Sequence, residues 1–160
     1  TGFTVATENP LYIKGDYNTT DKTMAMVVAD ALTIQSNNWN DANSTKAIGS
    51  RTATETKIQA VCMQGIVSSA GGKYSGGVEN YFRLLEEWTG KKLKFEGSLI
   101  NLWESTKATG KWQGTGTVYN PPTREWAWDK DLGGTDGPPG GTRGVVVTRD
   151  GWEMPEVDAE

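Results

Sequence analysis

Three short stretches of the chain order their apolar and polar positions in the same way. Ile13-Lys14-Gly15-Asp16-Tyr17, Met63-Gln64-Gly65-Ile66-Val67 and Phe95-Glu96-Gly97-Ser98-Leu99 each run apolar, polar, glycine, any residue, apolar. Period-two alternation of this kind predicts strands with one buried face. It is clearest over 92–103, where Leu93, Phe95 and Leu99 fall on one face and Lys94, Glu96 and Ser98 on the other. A glycine inside a strand marks a bulge or a close backbone approach. Alternatively, Gly15, Gly65 and Gly97 mark the same bend in successive coils of a stack, each laying a short strand on the next. The intervals between them are unequal, so such a stack would be short and interrupted by insertions.

The other elements follow from the same pattern. Phe3 and Val5 alternate in a lead-in, and 18–23 is a polar turn. The longest apolar run, MAMVVADALTIQ over 24–35, reads as strand because its β-branched residues outweigh its alanines. Residues 37–50 are rich in Asn, Asp, Ser and Thr and predict an exposed loop around Trp39. The period then changes. Val78, Tyr81, Phe82, Leu85 and Trp88 recur at helical spacing, with Glu79, Arg83, Glu86 and Glu87 opposite and Gly90 just beyond. This predicts an amphipathic helix over 78–88 that covers an apolar face the strands cannot close. One or two strands are expected around Asn120-Pro121-Pro122, a long glycine-rich loop over 129–144, and a last strand at Val145-Val146-Val147. The expected organisation is a single β-rich domain over 1–152 followed by an acidic tail over 153–160.

Composition narrows the chemistry. The chain has 160 residues, 20 glycines, seven tryptophans and a net charge of −4. This suits a strand-and-turn protein and gives no basic patch for a nucleic-acid backbone. The absence of histidine removes Ser-His-Asp and Cys-His catalysis and histidine-ligated metals. Cys62 is the single cysteine, set in an apolar run, and reads as a buried thiol. No stretch approaches the roughly 20 apolar residues of a membrane-spanning helix, so no membrane insertion is expected of this sequence. There is no signal peptide, and Thr1 reads as a processed start or as a boundary inside a longer protein.

Four blocks, NPLYIKGDYNT, VVADALTIQSNNWN, YSGGVENYFRLLEEWTGKKLKFEGSLINLWES and YNPPTREWAWD, resemble the C-terminal region of large secreted bacterial proteins. Many of those begin with a PilX-like (type IV pilin-like) membrane segment and continue into β-solenoid regions. The resemblance runs from about Asn9 to Trp152. It implies an extracellular or cell-surface setting, a non-enzymatic role, and partners drawn from an upstream region, other copies or pilin-like subunits. The pilin-like N-terminal helix is lacking in this sequence.

Candidate binding residues are few. Trp88 and Trp103 read as core, whereas Trp39, Trp112, Trp126, Trp128 and Trp152 sit in polar surroundings. Trp126 and Trp128 alternate, share a strand face, and could stack on sugar rings or on another protein. Asp129, Asp131 and Asp136 lie in a glycine-rich loop and are candidate Ca²⁺ ligands, although their spacing lacks the EF-hand pattern. No other cofactor is expected. Asn18-Thr19-Thr20 and Asn43-Ser44-Thr45 match glycosylation sequons. The sequence thus predicts a mainly β fold: a short, irregular right-handed β-solenoid, or an open β-sandwich, with one helix near 78–88. The expected role is a structural module that packs against its neighbours. The alternative is a carbohydrate-binding module built on its tryptophans.

Overall fold

The computed structural model describes residues 2–68, 70–74, 81–134 and 137–139. The expected strand over 144–148, the acidic tail, Asp136 and Trp152 lie outside these residues. Among those described, eight strands form: β1 (Gly2–Ala6), β2 (Leu11–Lys14), β3 (Met24–Ala29), β4 (Leu32–Gln35), β5 (Thr56–Gln64), β6 (Arg83–Leu84), β7 (Lys92–Ile100) and β8 (Thr123–Trp128). The fold is mainly β, and among the described residues the only helical pieces are short 3-10 turns.

The strands form two sheets. One has the order β1-β3-β5-β7-β8 and the other β2-β4-β6, and every pairing is parallel. Parallel neighbours cannot be joined by a tight hairpin. Here each connection through β7 passes by way of the opposite sheet, so strands alternate between sheets along the chain. The run over 24–35 is therefore two strands in different sheets, broken at Asp30.

Register stacks like on like. Ile13, Ile34 and Leu84 align across the smaller sheet. In the larger sheet Val5, Val27, Cys62 and Leu99 form one row, and Ile58, Phe95 and Trp126 another. Residues of both sheets meet in one apolar cluster that includes Val27, Leu32, Ile34, Ile58, Leu93 and Phe95. Parallel sheets owe their stability to burial of this kind. A third line of pairing joins Thr52, Glu87 and Asn120 through isolated parallel bridges.

The helix expected over 78–88 is not formed in its described part. Residues 81–88 run extended, with Arg83–Leu84 as β6. Phe82, Leu84, Glu86 and Trp88 are buried, and Arg83, Leu85 and Glu87 are half-buried between them. The true period is two. A charged residue, Glu86, fills one inward position, while Leu85 takes an outward one, so the sequence imitates a helical stripe. Trp88 is core, as expected, with no exposed surface.

Candidate interaction surfaces

The corners between strands are fixed by buried polar side chains. Asp30 turns the chain from β3 to β4. Its carboxylate accepts from the backbone N–H groups of Thr106, Lys107 and Ala108 at 2.5, 3.1 and 2.7 Å. Its own carbonyl accepts from Gly65 N–H and Ser105 Oγ. Burial alone would raise the Asp30 pKa, but the backbone donors outweigh it and hold the group below the ordinary aspartate value. Glu86 accepts from Ser36 N–H and Ser36 Oγ, both at 2.7 Å. There burial dominates and pushes the carboxyl above the ordinary glutamate value, against Ser36, Arg51 and Lys14. Arg51 donates to the carbonyls of Lys46, Leu85, Thr117 and Val118, and its guanidinium lies 4.4 Å from the Trp112 ring centroid. Gln64 bridges Leu32 N–H and the Tyr81 carbonyl. Each of these groups is satisfied within the chain and makes a structural tie.

The three glycines of the recurring pattern stand in three different settings. Gly15 follows β2 with φ +73° and donates to the Gln35 carbonyl. A Cβ there would strike the Asn37 side chain. Gly65 ends β5 against the Trp103 indole. Gly97 lies inside β7, opposite Ala60 and Trp128, where a Cβ would meet the Ala60 carbonyl oxygen at 1.9 Å. They do not stack in one row. The layering of parallel strands therefore owes nothing to a shared glycine bend.

The tryptophans separate by environment. The loop over 37–50 is exposed, as expected, but Trp39 within it is buried and its indole N–H donates to Asp41 at 2.7 Å. Trp112 is taken up by Arg51. Trp126 packs edge-on against Phe82 and Phe95 with centroids 5.7 and 6.0 Å away. Trp128 is 58% exposed. Trp126 and Trp128 share a strand face but do not form an open double platform. Trp103 is exposed beside Leu102, which is 72% exposed. Both border a groove of about 740 Å³ with Ile66, Val67, Asn101 and Glu104. The expectation of a core Trp103 is corrected: its indole Cδ1–Nε1 edge lies against Gly65, and 36% of the residue remains exposed.

The acidic loop after β8 holds a lysine. Lys22 Nζ lies 2.7 Å from Asp129, 2.9 Å from Asp131 and 3.9 Å from Glu96. Burial works against the ammonium, and the bonds to Asp129 and Asp131 outweigh it, raising its pKa. Among the described residues no group of three or more His, Cys, Asp or Glu side chains could hold a metal ion. Cys62 is fully buried, and burial pushes its thiol pKa up, away from reactivity. No described helix is long and apolar enough to cross a membrane.

One surface escaped the sequence reading. Among the described residues, β1 and β2 are edge strands of their sheets. Phe3, Val5 and Tyr12 on them are 43, 39 and 57% exposed. Between the two edges lies a cleft of about 160 Å³, lined by Val5, Leu11, Tyr12, Ile13, Tyr17 and Val27 together with Lys14. The available signal was the complete lack of charge in GFTVA, which a reading as a mere lead-in passes over. No family model matches the chain, and no curated protein or solved structure matches it.

Proposed function

We propose that this chain is a non-enzymatic structural module, a short irregular β-solenoid that packs against neighbouring layers in a secreted, cell-surface or filament-associated bacterial assembly. The observation that carries the reading is the uncharged β1 edge beside a cleft lined mostly, Lys14 aside, by aliphatic and aromatic side chains. Proteins that act alone protect their edges with charge, proline, bulges or covering loops. Gly2–Ala6 has no charge and no proline, and two of its five side chains are large, apolar and exposed.

The solenoid reading draws on three lines of parallel pairing, two sheets and the bridges through Thr52, Glu87 and Asn120, which together give each turn of chain a repeated path. The secreted, pilus-associated setting rests on the sequence resemblance. The partners proposed are an upstream region of the same protein, further copies or pilin-like subunits. A role in glycan binding draws less support, because Trp126 is engaged with Phe82 and Phe95.

Negative-stain imaging with mass measurement of the native particle tests this function. Particles in which more than one module is stacked are expected. A lone monomer that turns over a substrate or saturably binds a glycan would overturn the reading.

A further inference from the structure

We infer that the partner of the β1 edge is a second copy of this chain, joined to it by antiparallel β1–β1 pairing across a two-fold axis at Thr4. This deepens the packing role proposed above and rests on it. A two-fold contact sets a surface against itself, so it must be self-complementary. The β1 sequence Gly-Phe-Thr-Val-Ala reads small, large, polar, large, small in either direction. With Thr4 on the axis, Gly2 faces Ala6 of the second copy, and Phe3 faces its Val5. No charge meets its own kind, because the strand has none.

The side-chain faces also agree. Phe3 and Val5 are in register with Ala25 and Val27, both core residues, so they point toward the space between the sheets. Directly opposed residues of an antiparallel pair point to the same face. Phe3 of the second copy would then stand beside Val5, at the mouth of the 160 Å³ cleft that Val5 lines. A cavity of about 150 Å³ accommodates a benzene-sized ring. Thr4 points the other way, where its hydroxyl donates to the Pro139 carbonyl on the outer face. Among the described residues no strand pairs with β1 on the side away from β3.

The opposite end of the larger sheet is built differently. Edge strand β8 carries Arg124 and Glu125, and Glu125 pairs with Lys92 at 2.5 Å. Those charges are an edge-protecting device that β1 lacks. The asymmetry favours β1 meeting β1 over β1 meeting β8 in an open head-to-tail stack. One added strand pair buries less than a standard interface, so the dimer is concentration-dependent.

Sedimentation of the whole chain over a concentration series tests this inference. The expected result is a mass rising from one chain toward two and no further. Val5→Lys is expected to abolish the rise, with an unchanged circular dichroism spectrum because Val5 is already exposed. Trp128→Lys is expected to leave it intact. Thr4→Cys supplies a register test, since only the residue on the axis meets itself. Its Cα atoms would be about 4.5–5.5 Å apart, within disulfide reach. Mild oxidation should give a reducible dimer with Thr4→Cys but not with Phe3→Cys, and buried Cys62 does not compete. A folded chain that stays monomeric at every concentration, with no Thr4→Cys dimer, overturns the inference. So does an assembly that Trp128→Lys destroys and Val5→Lys spares, although the proposed packing role would then survive. That role fails separately, if the native particle contains no stacked modules.

Discussion

Asp30→Asn is the substitution that most directly tests how the strand layers are tied. One Asp30 oxygen accepts from Thr106 N–H and the other from both Lys107 N–H and Ala108 N–H. Asparagine has the same shape but a single acceptor oxygen. Its better orientation keeps the two bonds to Lys107 and Ala108 and turns its NH₂ toward Thr106 N–H, donor against donor. The loss is one hydrogen bond to a charged acceptor, about 1.5–3 kcal/mol, plus the charge assistance on the two that remain. Thr106 and Lys107 are exposed, so water can reach the freed amide and the lower half of that range is expected, about 2 kcal/mol. Urea unfolding followed by tryptophan fluorescence at neutral pH measures it. Hydrogen exchange localises it, with the Thr106, Lys107 and Ala108 amides losing protection first. The pH dependence gives a second reading. The folded-state pKa of Asp30 is depressed, so its contribution is present above the ordinary aspartate pKa and is lost as pH falls through the folded value. The variant should lack that acid limb. A variant within 0.5 kcal/mol of the parent, with unaltered exchange at 106–108, would refute the reasoning.

Other perturbations separate fold from surface. Gly97→Ala sets a methyl against the Ala60 carbonyl and should cost about 2–3 kcal/mol by overpacking, read as a lowered Tm. Trp126→Ala removes a ring packed on Phe82 and Phe95 and should cost about 2–3 kcal/mol, below the full Trp→Ala range because it is only half-buried. Trp128→Ala should stay within about 0.5 kcal/mol in the same melts. Glu86→Gln keeps an acceptor for Ser36 N–H and should change neutral-pH stability by under about 1 kcal/mol, whereas Glu86→Leu strands that donor and should cost about 2 or more. Because burial raises the Glu86 pKa, its ionisation opposes folding: its contribution improves as pH falls through the folded value, and Glu86→Gln should remove that trend from a pH–stability profile. Added Ca²⁺ or a chelator should leave the melting curve unchanged, since Lys22 already occupies Asp129 and Asp131. A Ca²⁺-dependent rise abolished by Asp131→Asn would show otherwise.

What the sequence discloses is local. The alternation in β7, the short apolar run of β2 and the β-branched run over 24–35 are each stated by neighbours two residues apart, and each folds as strand. Where an inward position holds a charge, the alternation misleads. Glu86 is buried because Ser36, fifty residues away, supplies two donors, and no local signal announces that partner. Asp30 marks the break inside MAMVVADALTIQ, but its reason lies in the backbone of 106–108. The same holds for the candidate sites. Lys22 and Asp129 are 107 residues apart, so a loop that reads as a possible ion site in sequence is half of an ion pair in space. Trp39 looks exposed because Asn, Asp and Ser surround it, yet Asp41 accepts its indole proton and lets the ring bury.

Irregularity explains why so many polar groups are inside. In a stack of equal turns, each corner would find the matching corner of the next turn, and backbone would satisfy backbone. Here the strands range from two residues in β6 to nine in β5 and β7, and the connections differ in length. Corners therefore miss one another, and side chains bridge the gap: Asp30 to 106–108, Gln64 to Leu32 and Tyr81, Arg51 to four carbonyls. The first turn follows a simpler rule. Thr7 and Leu11 donate to the Val28 and Ala31 carbonyls, and Asp30 donates to Asn9, so the β1–β2 corner meets the β3–β4 corner backbone to backbone. Backbone also meets backbone where Glu87 pairs with Arg51 and Ala53 and where Asn120 pairs with Glu86 and Trp88. A layer built to match its neighbour on one side, with uncharged β1 at the other, is shaped to be followed by another strand. Backbone matching of this kind also leads into β8, where Thr123 N–H donates to the Lys91 carbonyl, so it is the uncharged β1, against Arg124 and Glu125 on β8, that distinguishes the two ends.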